Sequence, residues 1–439
     1  MPERAKNRGK SRKDEKLLLK NGRVVDPSSG LDAGLDVLLS DGKIEKVARK
    51  IDAVPGARVL DLEKKLVVPG FIDMHVHLRD PGREDEETIG SGGAAAARGG
   101  FTRIACMANT QPPLDNSGMV RYVLETAART SPVKVLPMAA ATVGLKGQHM
   151  TEIMDLRDAG AVAVSDDGNF IGASEISRRV MEYARMAGLP VVSHCEDPTL
   201  SAGGVMNEGY WSTVLGLKGI PAASEAAAVA REVALAELTR ARVHIAHVST
   251  RSAVEIIRTA KSRGLPVTAE ATPHHLVLSD EAVSGYDTNT KMNPPLRSEE
   301  DRLAVVEGLI DGTIDVIASD HAPHCEEEKD VEFDEAAFGV IGLETTVGVI
   351  MTFLVNKKIL SLTRAIAALT SAPSSVLGIE AGRIAIGMAA DVTVIDPQLE
   401  WTVDPSLFAS RSRNTPFKGW PLFGRPVLTI VDGRIVHQI

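Results

Sequence analysis

Eight apolar runs of strand length recur through the central part of the chain and alternate with segments of helical composition. The runs are FIDMHVHL, RIACMAN, VKVLPMAA, AVAVSDD, PVVSHCE, VHIAHVS, PVTAEAT and IDVIASD. A continuous apolar run of this length is typical of a strand that is buried on both faces, and the alternation with helices predicts a parallel sheet. Eight such units predict an α/β fold with a closed (β/α)8 barrel of the TIM type.

Both ends of the chain show a different pattern, in which short β-type runs are interrupted by turn signals. Asn21-Gly22 and Asp41-Gly42 lie near the start, and Asp432-Gly433 lies near the end. Such dipeptides are typical of hairpin turns. We therefore expect residues 16–68 and 378–439 to form one small β module, and residues 69–377 to form the barrel. Residues 1–15 are highly charged and lack an apolar segment, which predicts a disordered basic tail.

Polar side chains collect at the C-terminal ends of six of the eight runs. They are His75 with His77, Asn109, Asp167, His194, His247 and Asp320. In a barrel of this type those strand ends meet at one face, where the active site lies, whereas the barrel interior favours branched apolar residues. Packing therefore gives no reason for this set, and we interpret it as a site that binds metal and substrate.

Four imidazoles and two carboxylates in this set are candidate metal ligands. His75 and His77 are two residues apart on one strand, so their side chains point to the same face. With Asp167, His194, His247 and Asp320 they suffice for one or two Zn²⁺ ions, two being favoured, with a bridging carboxylate and open positions for a hydroxide. Asp320 is the candidate catalytic residue, because a carboxylate beside the hydroxide can take up its proton and pass it to a leaving nitrogen.

Other ionisable residues near the same strand ends have a simpler interpretation. His244 lies on the opposite face of its strand from His247, so we interpret it as structural. Asp166 and Asp167 point in opposite directions, so only one of them can face the site. His274 and His275 are interpreted as packing residues at another strand end.

Composition excludes several classes of partner. The net charge of −9 and the lack of a sustained basic face argue against nucleic acid. The stretch nearest to a membrane span, FGVIGLETTVGVIMTFLV, contains Glu344 and predicts a buried helix instead. Three cysteines without a C-x-x-C spacing predict a reducing, cytoplasmic location.

Ten motifs together carry a family resemblance. They are PGFIDMHVHLRDPG, ARGGFT, MANTQPP, VSDDG, SHCED, VHIAHVST, TAEATPHHL, KMNPPLR, ASDHAPH and FGVIGLET, and GRIAIGMAADVTVID extends the match into the C-terminal module. On these motifs the chain resembles the dihydroorotases of the amidohydrolase superfamily, in their long bacterial form. Many superfamily members bridge their metals with a carboxylated lysine. Here Asp167 stands at that strand end, as in the subgroup that uses aspartate.

The resemblance implies a hydrolase that acts on a cyclic amide C–N bond. It implies the reversible cyclisation of N-carbamoyl-L-aspartate to (S)-dihydroorotate in de novo pyrimidine (UMP) biosynthesis. The reaction would use a metal-bound hydroxide, with Asp320 as general acid and base. The implied metal ligands are the same six residues, His75, His77, Asp167, His194, His247 and Asp320. The implied substrate contacts are His77, Arg79, Asn109, Asn293, His324, Phe338 and Gly339.

The motifs leave two other functions as alternatives. A related cyclic-amide hydrolase, an allantoinase or hydantoinase, would share the histidines but not usually Arg79, Asn109 and Asn293. A non-catalytic scaffold paralogue of aspartate transcarbamoylase would usually lose metal ligands, whereas this chain retains all six. A homo-oligomer, an association with aspartate transcarbamoylase, and a lid or a solvated turn at the acidic loop EEEKDVEF after His324 are left open.

Overall fold

The computed structural model describes residues 16–439, which contain eighteen strands. The strands are β1 (Lys16–Asp26), β2 (Leu31–Ser40), β3 (Lys43–Ala48), β4 (Ala57–Asp61), β5 (Leu66–Pro69), β6 (Phe71–Val76), β7 (Phe101–Cys106), β8 (Lys134–Ala139), β9 (Ala163–Val164), β10 (Val191–Ser193), β11 (Met206–Asn207), β12 (Gly219–Ile220), β13 (Val243–Ile245), β14 (Val267–Ala271), β15 (Val316–Ile317), β16 (Val392–Thr402), β17 (Pro421–Val431) and β18 (Arg434–Gln438). The predicted basic tail of residues 1–15 lies outside the described residues.

The eight predicted barrel strands form one parallel sheet. Its order is β6, β7, β8, β9, β10, β13, β14 and β15, with every neighbouring pair parallel. Val76 makes a parallel bridge to His321, and the His77 N–H donates to the His321 carbonyl at 2.8 Å, which joins the last strand to the first. The (β/α)8 barrel is therefore confirmed. Several strands are shorter than their apolar runs, because the last residues of each run leave the sheet to form the site.

Helices alternate with the barrel strands, and the longer ones pack against the outside of the sheet. They are α1 (Ile89–Arg98), α2 (Ser117–Thr130), α3 (Ile153–Ala159), α4 (Ser174–Ala187), α5 (Pro198–Ser201), α6 (Tyr210–Leu215), α7 (Ala222–Thr239), α8 (Arg251–Ser262), α9 (Pro273–Val277), α10 (Glu299–Asp311), α11 (Glu326–Lys329), α12 (Thr346–Ile350), α13 (Leu362–Leu369) and α14 (Ser371–Leu377). Side chains cap the starts of some of them: Asn116 accepts from the Met119 N–H at α2, and Thr250 accepts from the Ala253 N–H at α8.

One apolar cluster lies inside the barrel sheet. It joins Ile72 and Met74 of β6 to Val192 of β10 and Val316 of β15. Residues from strands so far apart in the sheet can meet only inside the barrel, so this cluster fills its interior. α14 adds Val376 and Leu377 to the same cluster.

Only the second half of the predicted buried helix over FGVIGLETTVGVIMTFLV is helical: α12 is continued by a π-helical stretch at Met351–Val355, and residues 338–345 form no helix. Among residues 16–439, no helix is both long enough and apolar enough to span a bilayer.

Both ends of the chain contribute to a second, mixed sheet. Its order is β18, β17, β16, β5, β1, β2 and β3, with β4 paired to β1. The two ends meet where β5 pairs antiparallel with β16, through Val67 and Val394 among others. Apolar residues from both ends, such as Leu17 and Ile430, share one buried cluster. The predicted β module built from both ends is confirmed, and its proposed boundaries with the barrel stay a prediction.

Candidate active site

The predicted metal ligands converge at the C-terminal ends of the barrel strands. His75 lies in β6 and His77 follows it, His194 and His247 follow β10 and β13, and Asp167 and Asp320 lie beyond the ends of β9 and β15. Each of the six residues is at most 7% exposed. The structure therefore brings into one buried cluster side chains that the sequence spreads over five separate strand ends.

His75, His77 and Asp320 form one half of this cluster. Nε2 of His77 lies 3.2 Å from Oδ1 of Asp320, and Nε2 of His75 lies 3.5 Å from the same oxygen. Ligand atoms of the three residues all lie within 4.8 Å of one another. That spacing suits a single metal ion with nitrogen and oxygen ligands.

Asp167 lies between this half and a second pair of histidines. Its Oδ1 is 3.4 Å from Nε2 of His75 and 3.7 Å from Nε2 of His247. The same oxygen is 3.8 Å from Nδ1 of His194, and Oδ2 is 3.5 Å from Nε2 of His77. A carboxylate that faces both halves has the placement of a bridging ligand.

Hydrogen bonds on the far side of the His75 and His77 rings set which ring nitrogen carries the proton. His75 donates from Nδ1 to Oε1 of Glu270 at 2.5 Å, and His77 donates from Nδ1 to Oδ1 of Asn109 at 2.9 Å. Because those oxygens only accept, Nδ1 carries the proton of each neutral ring and Nε2 is left as a bare acceptor. Nε2 of His75 and Oδ1 of Asp167 are buried without a hydrogen-bond partner. Bare acceptors that face each other in a buried site need a cation between them, so these residues fit a metal ion.

The charges of the cluster also favour a cation. Burial by itself lowers the pKa of His75, but Asp167, Glu270 and Asp320 raise that pKa well above its ordinary value. Burial by itself raises the pKa of Asp320, but His75 and His77 lower that pKa far below the ordinary carboxyl value. Asp320 is therefore ionised at neutral pH and can accept a proton.

A cavity of about 110 Å³ opens beside the ligands. Its walls include Arg79, Asn109, Asn293, Phe338 and Gly339 of the predicted substrate contacts. Oδ1 of Asn293 is buried without a partner, and its Nδ2 lies 3.5 Å from Nε2 of His194. The structure therefore places an amide with spare hydrogen-bonding capacity next to the ligand cluster.

Arg79 is held at the cavity edge by a residue that the sequence analysis missed. Its backbone is left-handed, with φ at 59°. Nε of Arg79 lies 2.8 Å from Oε2 of Glu86 and donates to the Pro323 carbonyl at 3.1 Å. Glu86 is 3% exposed and also lies 3.0 Å from Nη2 of Arg83. One edge of the Arg79 guanidinium is thus fixed by the protein.

The other predicted substrate contacts hydrogen-bond to neighbouring protein groups. His324 donates from Nε2 to the Phe338 carbonyl at 2.8 Å. The Gly339 N–H donates to the Lys291 carbonyl at 3.0 Å, and the Gly339 carbonyl accepts from Nδ2 of Asn414 at 3.1 Å. Their contact with substrate stays a prediction.

Asp166, His275 and His244, which the sequence places outside the ligand set, hydrogen-bond to other protein groups. Asp166 accepts from the Thr142 N–H at 2.9 Å and so turns away from the cluster. His275 donates from Nε2 to the Pro294 carbonyl at 2.9 Å. His244 does more than pack, because its Nε2 donates to Oε2 of Glu270 at 3.1 Å and so supports the carboxylate that orients His75.

Glu270 is a second residue that sequence reasoning missed. It lies in β14 and is fully buried. A signal was present, because PVTAEAT contains one acidic residue in an otherwise apolar run. A charge in a strand buried on both faces needs a partner, but only the fold shows which one.

Known proteins resemble this chain over nearly its whole length. A family model described as dihydro-orotase-like matches residues 64–253, and one described as amidohydrolase family matches residues 342–437. A protein of Pelotomaculum thermopropionicum named dihydroorotase is 56% identical over 423 residues, covering 96% of this chain and 99% of that protein. A dihydroorotase of Syntrophotalea carbinolica is 53% identical over 424 residues, covering 97% and 99%.

A solved structure of L-hydantoinase (dihydropyrimidinase) from Arthrobacter aurescens has the same fold, with a TM-score of 0.87 and 28% identity, covering 96% of both chains. The identity to the named relatives is much higher than the identity to this structure. The chain belongs to the dihydroorotase family, a group of hydrolytic enzymes within the amidohydrolases.

Proposed function

We propose that this chain catalyses the reversible cyclisation of N-carbamoyl-L-aspartate to (S)-dihydroorotate and water, a step of de novo pyrimidine synthesis. One observation carries the proposal: a buried cluster of histidines and carboxylates shares a cavity with an arginine and two amides. That combination suits a small anionic substrate with a cyclic amide. The high identity to relatives named dihydroorotase supports the same reaction.

We propose that the cluster holds divalent zinc, with two ions favoured. His75, His77 and Asp320 would hold one ion, and His194 and His247 the other, with Asp167 between them. Imidazole and carboxylate together are ligands typical of zinc at sites that keep open positions. When bound, such ions lower the pKa of a water molecule and polarise a carbonyl group.

Asp320 would move the proton. In the ring-opening direction the oxygen of water bonds to the amide carbonyl carbon of the ring, and the C–N bond breaks. Asp320 accepts a proton from that water and donates it to the departing nitrogen, so it ends the reaction ionised as it began. His75 and His77 favour the ionised form of Asp320, which is the form that can accept a proton. In the cyclisation direction the same carboxylate takes the proton from the attacking nitrogen.

Arg79, Asn109 and Asn293 would orient the substrate. A guanidinium pairs strongly with a carboxylate, and one edge of Arg79 is already fixed by Glu86. Asn293 has an unpartnered Oδ1 that can accept from a ring N–H. His324 and the Phe338–Gly339 backbone would complete this wall.

The decisive experiment compares substrates. Purified protein should open dihydroorotate, lose that activity on chelation and regain it when Zn²⁺ is added. The likeness to an L-hydantoinase makes a hydantoin hydrolase the second candidate, so hydantoin and allantoin are tested beside dihydroorotate. Consumption of either of these with dihydroorotate untouched would show that the proposed substrate is wrong.

Asp320→Asn tests the proton-transfer role. The amide keeps the size of the side chain but cannot accept a proton, so kcat should fall by about 10²–10⁴-fold. Steady-state kinetics measure the loss, and circular dichroism with metal counting checks that fold and metal content remain. A kcat close to the parent value would contradict the role of Asp320.

We further propose a cytoplasmic location, because Cys106, Cys195 and Cys325 are all free thiols. The family resemblance extends the proposal to a homo-oligomer and to an association with aspartate transcarbamoylase. Size-exclusion chromatography with and without that enzyme tests both.

A further inference from the structure

A segment from the end of the chain packs against the face of the barrel that carries the cavity. Residues 409–415 lie between β16 and β17 and are called here the 409–415 segment. Within it, Ser410 donates from Oγ to Oε2 of Glu87 at 2.5 Å, and Ser412 donates from Oγ to the Glu86 carbonyl at 2.8 Å. The segment thus reaches the loop after β6, which also positions Arg79.

Asn414 extends this contact to two further loops of the site. Its Nδ2 donates to the Ala322 carbonyl at 3.0 Å and to the Gly339 carbonyl at 3.1 Å. Its Oδ1 accepts from the His324 N–H at 3.3 Å, and its carbonyl accepts from the Ile341 N–H at 2.9 Å. The side chain is 4% exposed. One buried amide therefore joins the loop after β15 to the stretch around Gly339.

The partners of Asn414 leave little freedom in the choice of residue. Two carbonyl oxygens face the side chain on one edge and one N–H on the other, so the amide fits in one orientation only. Aspartate has the same shape but would place a second acceptor against two carbonyls. Alanine would leave both carbonyls and the His324 N–H without this partner.

The backbone atoms that Asn414 holds belong to the cavity wall. Ala322 and Gly339 both line the cavity, and His324 follows Ala322 by two residues. Gly339 has φ at 134°, and a Cβ there would lie 2.8 Å from Cβ of Ala322. The two loops are therefore in close contact, and Asn414 hydrogen-bonds to both.

We propose that Asn414 is a positioning residue for substrate recognition: it sets the distance between the Ala322–His324 loop and the Phe338–Gly339 backbone. The proposal rests on the proposed function, because it assigns these loops to the site that binds dihydroorotate. Asn414 itself need not touch the substrate. Its effect should therefore appear in KM, since the loops it holds form the wall that the substrate contacts.

The test compares Asn414→Ala and Asn414→Asp with Asn207→Ala. Asn207 is a matched control, because it is also 4% exposed and its amide bonds Asp280 and Arg297 rather than the cavity loops. For Asn414→Ala we expect KM for dihydroorotate to rise about tenfold with kcat within about threefold of the parent, and Asn414→Asp to raise KM further. Metal content should not change, since no metal ligand bonds to Asn414. Asn207→Ala should lower Tm without raising KM.

Amide hydrogen exchange gives an independent measurement. In Asn414→Ala, the amides of residues 322–324 and 338–341 should exchange faster than in the parent, and they should not do so in Asn207→Ala. A parent enzyme that does not hydrolyse dihydroorotate would contradict the proposed function. A parent that opens dihydroorotate, with KM unchanged in both Asn414 variants, would overturn the positioning role and leave Asn414 as a residue that only stabilises the fold.

Discussion

Glu270 controls three neighbours of the metal cluster from one buried carboxylate. Oε1 accepts from Nδ1 of His75 and, at 3.3 Å, from the N–H of His247, while Oε2 accepts from Nε2 of His244. The backbone of His247 is left-handed, with φ at 32°, a conformation that costs free energy and persists only when its surroundings hold it. Glu270 therefore sets which nitrogen of His75 carries the proton, and it helps to hold the backbone of His247.

Glu270→Gln should weaken metal binding. The amide keeps one acceptor oxygen, loses the charge and presents an N–H₂ group to at least one of the three donors. We expect metal affinity to fall about 10–100-fold, measured by equilibrium competition with a chelator. Glu232→Gln is the control, because Glu232 is also buried and accepts from Ser177 and Arg231 rather than from a predicted metal ligand. Equal metal retention in both variants would contradict this role of Glu270.

At the scale of elements, the acidic loop after His324 is fastened to the protein. The loop forms α11, and Phe333 is buried against Met206 and Val283. Nζ of Lys329 donates to the carbonyls of Thr288, Lys291 and Ala337, at distances from 2.6 to 3.2 Å. These contacts distinguish the loop from a purely solvated turn, one of the two alternatives that the sequence left open.

Lys329→Met should loosen this loop. It removes three hydrogen bonds from a buried ammonium group and leaves the carbonyls without that donor, which costs about 1.5–3 kcal/mol locally. A glutamate-specific protease should then cut within residues 326–328 at least about tenfold faster than in the parent. Lys50→Met, at an exposed position, is the control. An unchanged cleavage rate would show that the apolar contacts of Phe333 hold the loop without the hydrogen bonds of Lys329.

At the scale of the whole molecule, a charge network joins the terminal sheet to the barrel. Asp391 precedes β16, is 8% exposed, and lies 2.8 Å from Nη2 of Arg103 in β7 and 2.9 Å from Nζ of Lys134 in β8. It also accepts from the Asp432 N–H at 2.9 Å. Two cations of the barrel therefore share one carboxylate of the sheet.

Asp391→Asn should lower the free energy of unfolding by about 2 kcal/mol, because two partly buried cations lose their shared counter-charge. Urea unfolding measures the loss, and turnover at 25 °C should be unchanged, since Asp391 does not line the cavity. Asp396→Asn is the matched control in β16. Its partner Lys65 is more exposed, so a loss below about 1 kcal/mol is expected. Equal losses in the two variants would show that Asp391 does not join the two parts in this way.

The sequence by itself determined the barrel, the composite sheet and the identity of the six predicted ligands. Each of these depends on a local pattern. A strand buried on both faces must be apolar along its length, so a polar residue at its end, such as Asp167 or His194, is conspicuous without any knowledge of its neighbours. The spacing of two between His75 and His77 is also a local pattern, because it places both side chains on one face of a strand.

Only the tertiary structure decided which residues support that set. Glu270 is 195 positions from His75, and Asn414 is 92 positions from Ala322, so no local pattern connects either pair. The left-handed backbones of His247 and Asp320 are likewise not marked by glycine. Local patterns report whether a position is buried, whereas the choice of partner depends on how the closed barrel and the returning C-terminal segment bring distant strand ends together.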